Sequence, residues 1–315
     1  MLNFFKPIPA YVAVSVLLFS CPQAFADEPL TGFVYTTDLL PRDKFEMAQW
    51  LTWRAHKAVG EYDVVEGRTE LEYGYSDRFQ LAGYVNYEWA RAYHDNVIDG
   101  TTLAPSTLSN LVVGPDQRLD VTRFTSFTTE GIYRFLSPYT DPVGLALYFA
   151  PSLGPDFGMT ETRLVLQSNH SDDRLVLAFN LALAQQWHLV PGAPGVNPLT
   201  DSYNDYWNKT TDLNLGLAGS YRFARGWSGA LELQNERGYA GFNPLKSNAR
   251  TNVAYYFGPT LHYAGQHFFA TATYVSQLAG ARDYAHAEPD FVVGGRSYSA
   301  GNERFRVRAK FGWYF

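Results

Sequence analysis

Along the last segment of the chain, Phe305, Val307, Ala309, Phe311, Trp313 and Phe315 fall on one face, and Arg304, Arg306, Arg308 and Lys310 fall on the other. An extended backbone turns successive side chains to opposite sides, so this pattern describes a strand lying between two very different solvents. The same alternation sets Leu213, Leu215, Leu217, Gly219, Tyr221 and Phe223 against Asp212, Asn214, Gly216, Ala218, Ser220 and Arg222. It also sets Leu175, Leu177, Phe179, Leu181, Leu183 and Trp187 against Arg174, Asn180 and Gln186. Read this way throughout, the pattern predicts twelve strands, near 43–55, 66–76, 78–93, 120–136, 142–151, 159–168, 173–188, 210–223, 227–237, 251–263, 266–279 and 303–315.

The links between these strands fall into two classes. Short ones lie at 76–77, 137–141, 169–172, 224–226 and 264–265, and longer ones at 56–65, 94–119, 152–158, 189–209, 238–250 and 280–302. Strict alternation of short and long links is what an up-and-down barrel with both termini in the periplasm requires. A soluble sandwich has no reason to sort its loops so. The expected fold class is therefore all-β, a transmembrane antiparallel up-and-down barrel of about twelve strands; ten or fourteen strands are the alternatives.

The first residues read as an address. Lys6 supplies a positive start, residues 11–19 an apolar core, and Ala24-Phe25-Ala26 a small-x-small cleavage site before Asp27. An N-terminal membrane anchor is the alternative, but the apolar run is far shorter than the roughly 20 residues a spanning helix needs. Lipoprotein processing at Cys21 is a second alternative, although Phe19 is bulky for that motif. The expected division is 1–26 as a cleaved signal peptide, 27–42 as a periplasmic or plug segment, and 43–315 as the outer-membrane barrel.

Composition supports this picture. Hydrophobic residues make up 46% of the 315 residues, yet mean hydropathy is -0.22, so the apolar residues are dispersed among polar ones. Aromatics reach 16%, with 22 Tyr, 22 Phe and 7 Trp, an excess that interfacial girdles of a barrel would use. A net charge of -6 leaves no basic excess for nucleic acid. The only cysteine, Cys21, lies in the predicted leader, so the mature chain has no disulfide.

The ending Phe311-Gly312-Trp313-Tyr314-Phe315 resembles the C-terminal signature of Gram-negative outer-membrane proteins. That resemblance implies an outer-membrane location, with Phe311, Trp313 and Phe315 as the signal read by the barrel-assembly machinery. The stretch from Tyr35 to Trp53 resembles the opening of a family of uncharacterised proteobacterial barrels.

Projected inward, the alternation gives a charged lumen, because charge facing lipid is expensive. The expected ladder comprises Arg304, Arg306, Arg308 and Lys310 on the last strand, Glu46 on the first, Arg68, Glu70 and Glu72 on the second, and Glu130 and Arg134 on the fourth. Glu88, Glu161, Arg163, Asp212, Arg222, Glu232 and Glu236 add to it. Two readings stay open. Cross-strand ion pairs would hold a narrow barrel shut, or an incompletely neutralised basic ladder would line a passive, weakly selective channel for small polar or anionic solutes. A structural or surface-interaction barrel that uses its long loops is the alternative function.

Chemistry is expected to be absent. His170 and Ser171 are adjacent and point to opposite faces, and there is no Gly-x-Ser-x-Gly stretch. Glu70 with Glu72 is read as lumen charge, and His286, Glu288 and Asp290 are a weak metal signal on a loop. No enzyme activity, metal or cofactor is expected. Outer-membrane lipid is the expected environment, and a monomer the expected state.

Overall fold

The computed structural model describes residues 30–192, 205–246, 248–283 and 291–315. The predicted leader, the metal signal at 284–290 and the middle of the 189–209 loop lie outside the described residues.

Twelve long strands form a closed antiparallel barrel: β1 (Phe45–Ala55), β2 (Glu61–Ser76), β3 (Phe79–Tyr93), β4 (Leu119–Leu136), β5 (Gly144–Leu153), β6 (Phe157–His170), β7 (Leu175–Val190), β8 (Tyr206–Ala224), β9 (Trp227–Ala240), β10 (Arg250–Ala264), β11 (Phe268–Gln277) and β12 (Phe305–Tyr314). Each strand pairs with its chain neighbour, and β12 lies between β11 and β1. Met47 faces Trp313 across the closing seam, and Ala270 faces Phe311. Closure leaves no strand edge unpaired in a solvent that offers no hydrogen bonds, which is why strands can cross a bilayer only as a barrel.

The outer surface is the apolar face of the alternation. Leu51, Leu71, Leu81, Val85, Leu147, Phe149, Leu177, Leu217, Leu231 and Leu261 all stand exposed there, a surface that suits lipid and not water. Aromatic rings collect near the ends of the strands. At the short-turn end, the rings of Trp227 and Tyr263 lie tilted at 4.9 Å and those of Tyr263 and Phe268 tilted at 5.5 Å, while Phe268 and Trp313 stack at 6.2 Å. Phe45 and Tyr73 continue the belt at 4.6 Å. Three glycines on the strands, Gly67, Gly158 and Gly312, sit directly opposite Tyr87, Trp187 and Phe269. Those rings lie across the space where a Cβ would stand, an aromatic covering of glycine that pins register.

All twelve predicted strands are present, but the loop rule is less strict than the sequence suggested. The expected long link 56–65 shrinks to residues 56–60, and 152–158 shrinks to 154–156, because β2, β5 and β6 extend further than their apolar runs. In these extensions Tyr62, Val64 and Phe157 face the lumen, so the apolar-out, polar-in alternation that marks the rest of each strand is lost there. At the opposite end the β6–β7 turn places Ser171, Asp172 and Asp173 at φ of 56°, 55° and 57°, a left-handed run that Asp tolerates better than most residues.

The last outer connection holds its own small hairpin, Phe291–Val293 with Arg296–Tyr298. Arg304 belongs to this connection and not to β12, which starts at Phe305. Its guanidinium stacks on Tyr298 at 3.9 Å, so the basic ladder begins one step deeper than expected.

Candidate functional site

The barrel is not an empty tube. Residues 30–41 run inside it, and their backbone is bonded by side chains that point inward from strands around the wall. The Glu232 carboxylate on β9 accepts three consecutive N–H groups, from Gly32 at 2.6 Å, Phe33 at 2.8 Å and Val34 at 3.2 Å. Asn180 on β7 accepts from the Tyr35 N–H at 2.6 Å and donates to the Tyr35 carbonyl at 2.8 Å. Gln167 on β6 accepts from the Thr37 N–H at 2.6 Å, and Gln80 on β3 accepts from the Leu40 N–H at 2.7 Å.

Cations take the segment's carbonyls. Lys310 donates to Thr31 at 3.0 Å, Arg308 to Gly32 at 3.0 Å, Arg163 to Phe33 at 3.2 Å and Arg134 to Thr37 at 3.4 Å. A peptide without regular structure can lie buried only if its backbone groups are satisfied, and here the wall does for this segment what a neighbouring strand would do. Small residues make room for it. Val34 packs on Ala178 and Ala218, and Leu39 packs among Ile132, Ala146 and Val165.

Above the segment, toward the long-loop end, lies a cavity of about 520 Å³. Below it a second cavity measures about 40 Å³. Tyr35, Trp50 and Arg68 line both and so form the septum between them. The septum is stacked: the Arg68 guanidinium sits 3.7 Å from the Trp50 ring centre and 4.0 Å from that of Tyr84, while Arg163 sits 4.2 Å from that of Tyr35. From the outer side, the β3–β4 loop folds inward. Pro105, Ser106 and Thr107 line the larger cavity, Thr107 Oγ1 donates to Glu88 at 2.6 Å, and Asn110 reaches Asp156 across the opening at 2.7 Å. The sequence reading gave 94–119 only as a long link, since nothing in its composition marks an inward fold.

The ladder charges are largely mutual partners. Arg54 pairs with Glu66 at 2.7 Å and with Glu303 at 2.8 Å, Arg68 with Glu70 at 2.9 Å, and Arg163 with Glu161 at 2.7 Å. Arg306, 2% exposed, is held by Glu236 and Glu303. Glu130 accepts from the Tyr84 hydroxyl at 3.2 Å, and Glu72 from Gln80. Glu46 is buried beside the lower cavity. Phe311, Trp313 and Phe315 face outward on the last strand.

Much of the expected ladder thus divides between the upper cavity and the segment; Glu46 and Glu72 line the lower cavity, Arg304 lies in the hairpin connection, and Arg222 is exposed at the short-turn end, where it reaches the Asp172 carbonyl. The anchoring role of Glu232, Asn180, Gln167 and Gln80 was not foreseen. Their only signal was polarity at positions where the alternation faces inward.

A serine does meet His170, but it is Ser168 and not the adjacent Ser171 considered in the sequence. Ser168 Oγ lies 2.9 Å from His170 Nε2 at the short-turn rim. Among the described residues no third group orients the imidazole, as a serine hydrolase would need.

Known structures share the architecture. The COG4313 outer membrane channel from Pseudomonas putida F1 superposes with a TM-score of 0.55 at 10% identity, covering 89% of this chain and 98% of that one. The β domain of the Bordetella autotransporter BrkA gives 0.51 at 13% identity, covering 87% and 100%. The fold is that of bacterial outer-membrane barrels. No curated protein matches the sequence. The matching family model spans residues 23–315, and the chain belongs to that family, described as a family of unknown function (DUF6662).

Proposed function

We propose that the protein is a passive outer-membrane channel for small polar solutes, closed at rest by residues 30–41. The observation that carries this reading is the arrangement of the lumen. A polar cavity of about 520 Å³ ends on a peptide that continues into β1 and is held to the wall by hydrogen bonds and ion–dipole contacts, with no covalent cross-link among the described residues. Such a peptide can leave its seat, because each bond it gives up can be replaced by water in a polar lumen. The likeness to an outer-membrane channel and the apolar outer surface support the location. The anion-leaning form of the expectation, which rested on Arg304, Arg306, Arg308 and Lys310, gains little support, since Arg306 is doubly paired and Arg308 and Lys310 are bonded to carbonyls of the segment. A passive pore needs no catalytic group.

The same ion pairs favour a second reading, a structural barrel with no path through it. Swelling of proteoliposomes in arabinose separates the two. The channel reading predicts swelling above that of empty vesicles, faster when the segment's anchors are weakened. Vesicles that stay at the empty-vesicle rate with wild-type and anchor variants alike would leave the structural reading.

A further inference from the structure

We infer that the upper cavity is a binding site for a neutral, polyhydroxylated solute of about saccharide size, with Glu88 and Asp212 as its principal acceptors. This rests on the channel reading and narrows it to a class of solute.

The cations of the cavity are already engaged. Arg54, Arg163 and Arg306 are each ion-paired, and Arg308 donates to Thr52 Oγ1 at 2.8 Å and to the Gly32 carbonyl at 3.0 Å. An arriving anion would have to displace a carboxylate to reach the first three, and the Thr52 hydroxyl or the Gly32 carbonyl to reach Arg308. Two acids differ. Glu88 is 3% exposed, receives Thr107 on one oxygen and leaves its other oxygen without a hydrogen bond. Asp212 accepts only the amide of Gln186. Among the described residues no Lys or Arg lies within ion-pair distance of either, and the buried Asn214 Oδ1 beside them is also unbonded.

The open capacity of the site is therefore acceptor capacity, and it asks for a ligand rich in donors. Several engaged guanidiniums in the same walls disfavour a cationic ligand, and the described residues contain no acidic cluster able to hold a metal. A ligand bearing many hydroxyls meets the requirement without adding charge. Ser126, Thr128, Ser152 and Asn86 offer it further hydroxyl and amide partners, and Tyr148 an apolar edge. The volume falls within the range of small-molecule sites.

The test is calorimetric titration of the full chain, in a sugar-free polyoxyethylene detergent, with maltose, sodium gluconate and putrescine. Saturable maltose binding is expected. It should weaken by about tenfold or more in the Glu88→Gln/Asp212→Asn double variant, because each substitution replaces an acceptor oxygen with an amide donor. Asn214→Ala should weaken it less and serves as the informative variant if the double one does not fold. Gluconate or putrescine binding more tightly than maltose, maltose binding unchanged in the folded variants, or no maltose binding would overturn the inference. If vesicles still swell in arabinose, only this inference falls; if they do not, the channel reading falls with it.

Discussion

Glu232→Ala is expected to turn a mostly closed protein into a mostly open one, raising open probability in planar bilayers by about tenfold or more. One carboxylate accepts the N–H groups of Gly32, Phe33 and Val34, together with the Thr260 hydroxyl. Hydrogen bonds to a charged group contribute roughly 1.5–3 kcal/mol each. Three of them thus amount to several kcal/mol, and a shift of about 5.5 kcal/mol carries a two-state equilibrium from 1:99 to 99:1. The anchors on Asn180, Gln167 and Gln80 remain in the variant, so the barrel stays intact while the end of the segment nearest β9 comes free. Glu232→Gln keeps an acceptor but not the charge, and its open probability should fall between the two. Unchanged recordings with Glu232→Ala, on protein that still migrates as a folded barrel in unheated gels, would show that this carboxylate does not hold the closure.

Arg306→Met is expected to give the largest loss of stability. Arg306 is buried against Glu236 and Glu303, and its removal leaves two carboxylates facing each other with Arg54 as the one remaining partner, on Glu303. Breaking a buried pair from one side destabilises by about 3–5 kcal/mol. Urea unfolding in micelles, followed by tryptophan fluorescence, measures it.

The same cluster sets a pH dependence. Burial alone would raise the Glu303 carboxyl, but Arg306 and Arg54 beside it hold it down at about 2. A carboxyl lowered on folding contributes stability above its unfolded pKa and loses it as pH falls through the folded value. In the wild type that contribution should shrink progressively from the ordinary carboxyl value of 4.5 down to about 2. In Arg306→Met it should be smaller and used up at a higher pH, since one of the two lowering charges is gone. Equal stability of both proteins, with the same acid midpoint, would contradict the role given to the cluster.

The barrel could be read from the sequence wherever lipid imposed alternation. On β12, Phe311 and Trp313 face outward and Arg306 and Lys310 inward as their spacing requires. Strand ends were less legible at the starts of β2 and β6, because Tyr62, Val64 and Phe157 face the lumen there and blur the hydrophobic period. The segment 30–41 has no alternation of its own, since its bonds run to side chains far away in sequence, such as Glu232 for Gly32. Nor could pattern alone reveal that Arg306 is neutralised by Glu236 from a different strand. Pairing across a closed lumen depends on register and barrel shear, and these emerge only once the ring is closed.

The most direct test of the closure uses a Val34→Cys/Gly216→Cys pair. A Cβ built on Gly216 lies 3.8 Å from Val34 Cβ, close to the mean separation of about 3.8 Å in a disulfide. The chain's own Cys21 is changed to Ser in the same background, so that the variant carries only the introduced pair. Single-channel recording before and after reduction should show no openings while the bond is intact and wild-type openings once it is reduced. Openings of full amplitude through the bonded protein would show that residues 30–41 do not close the pore.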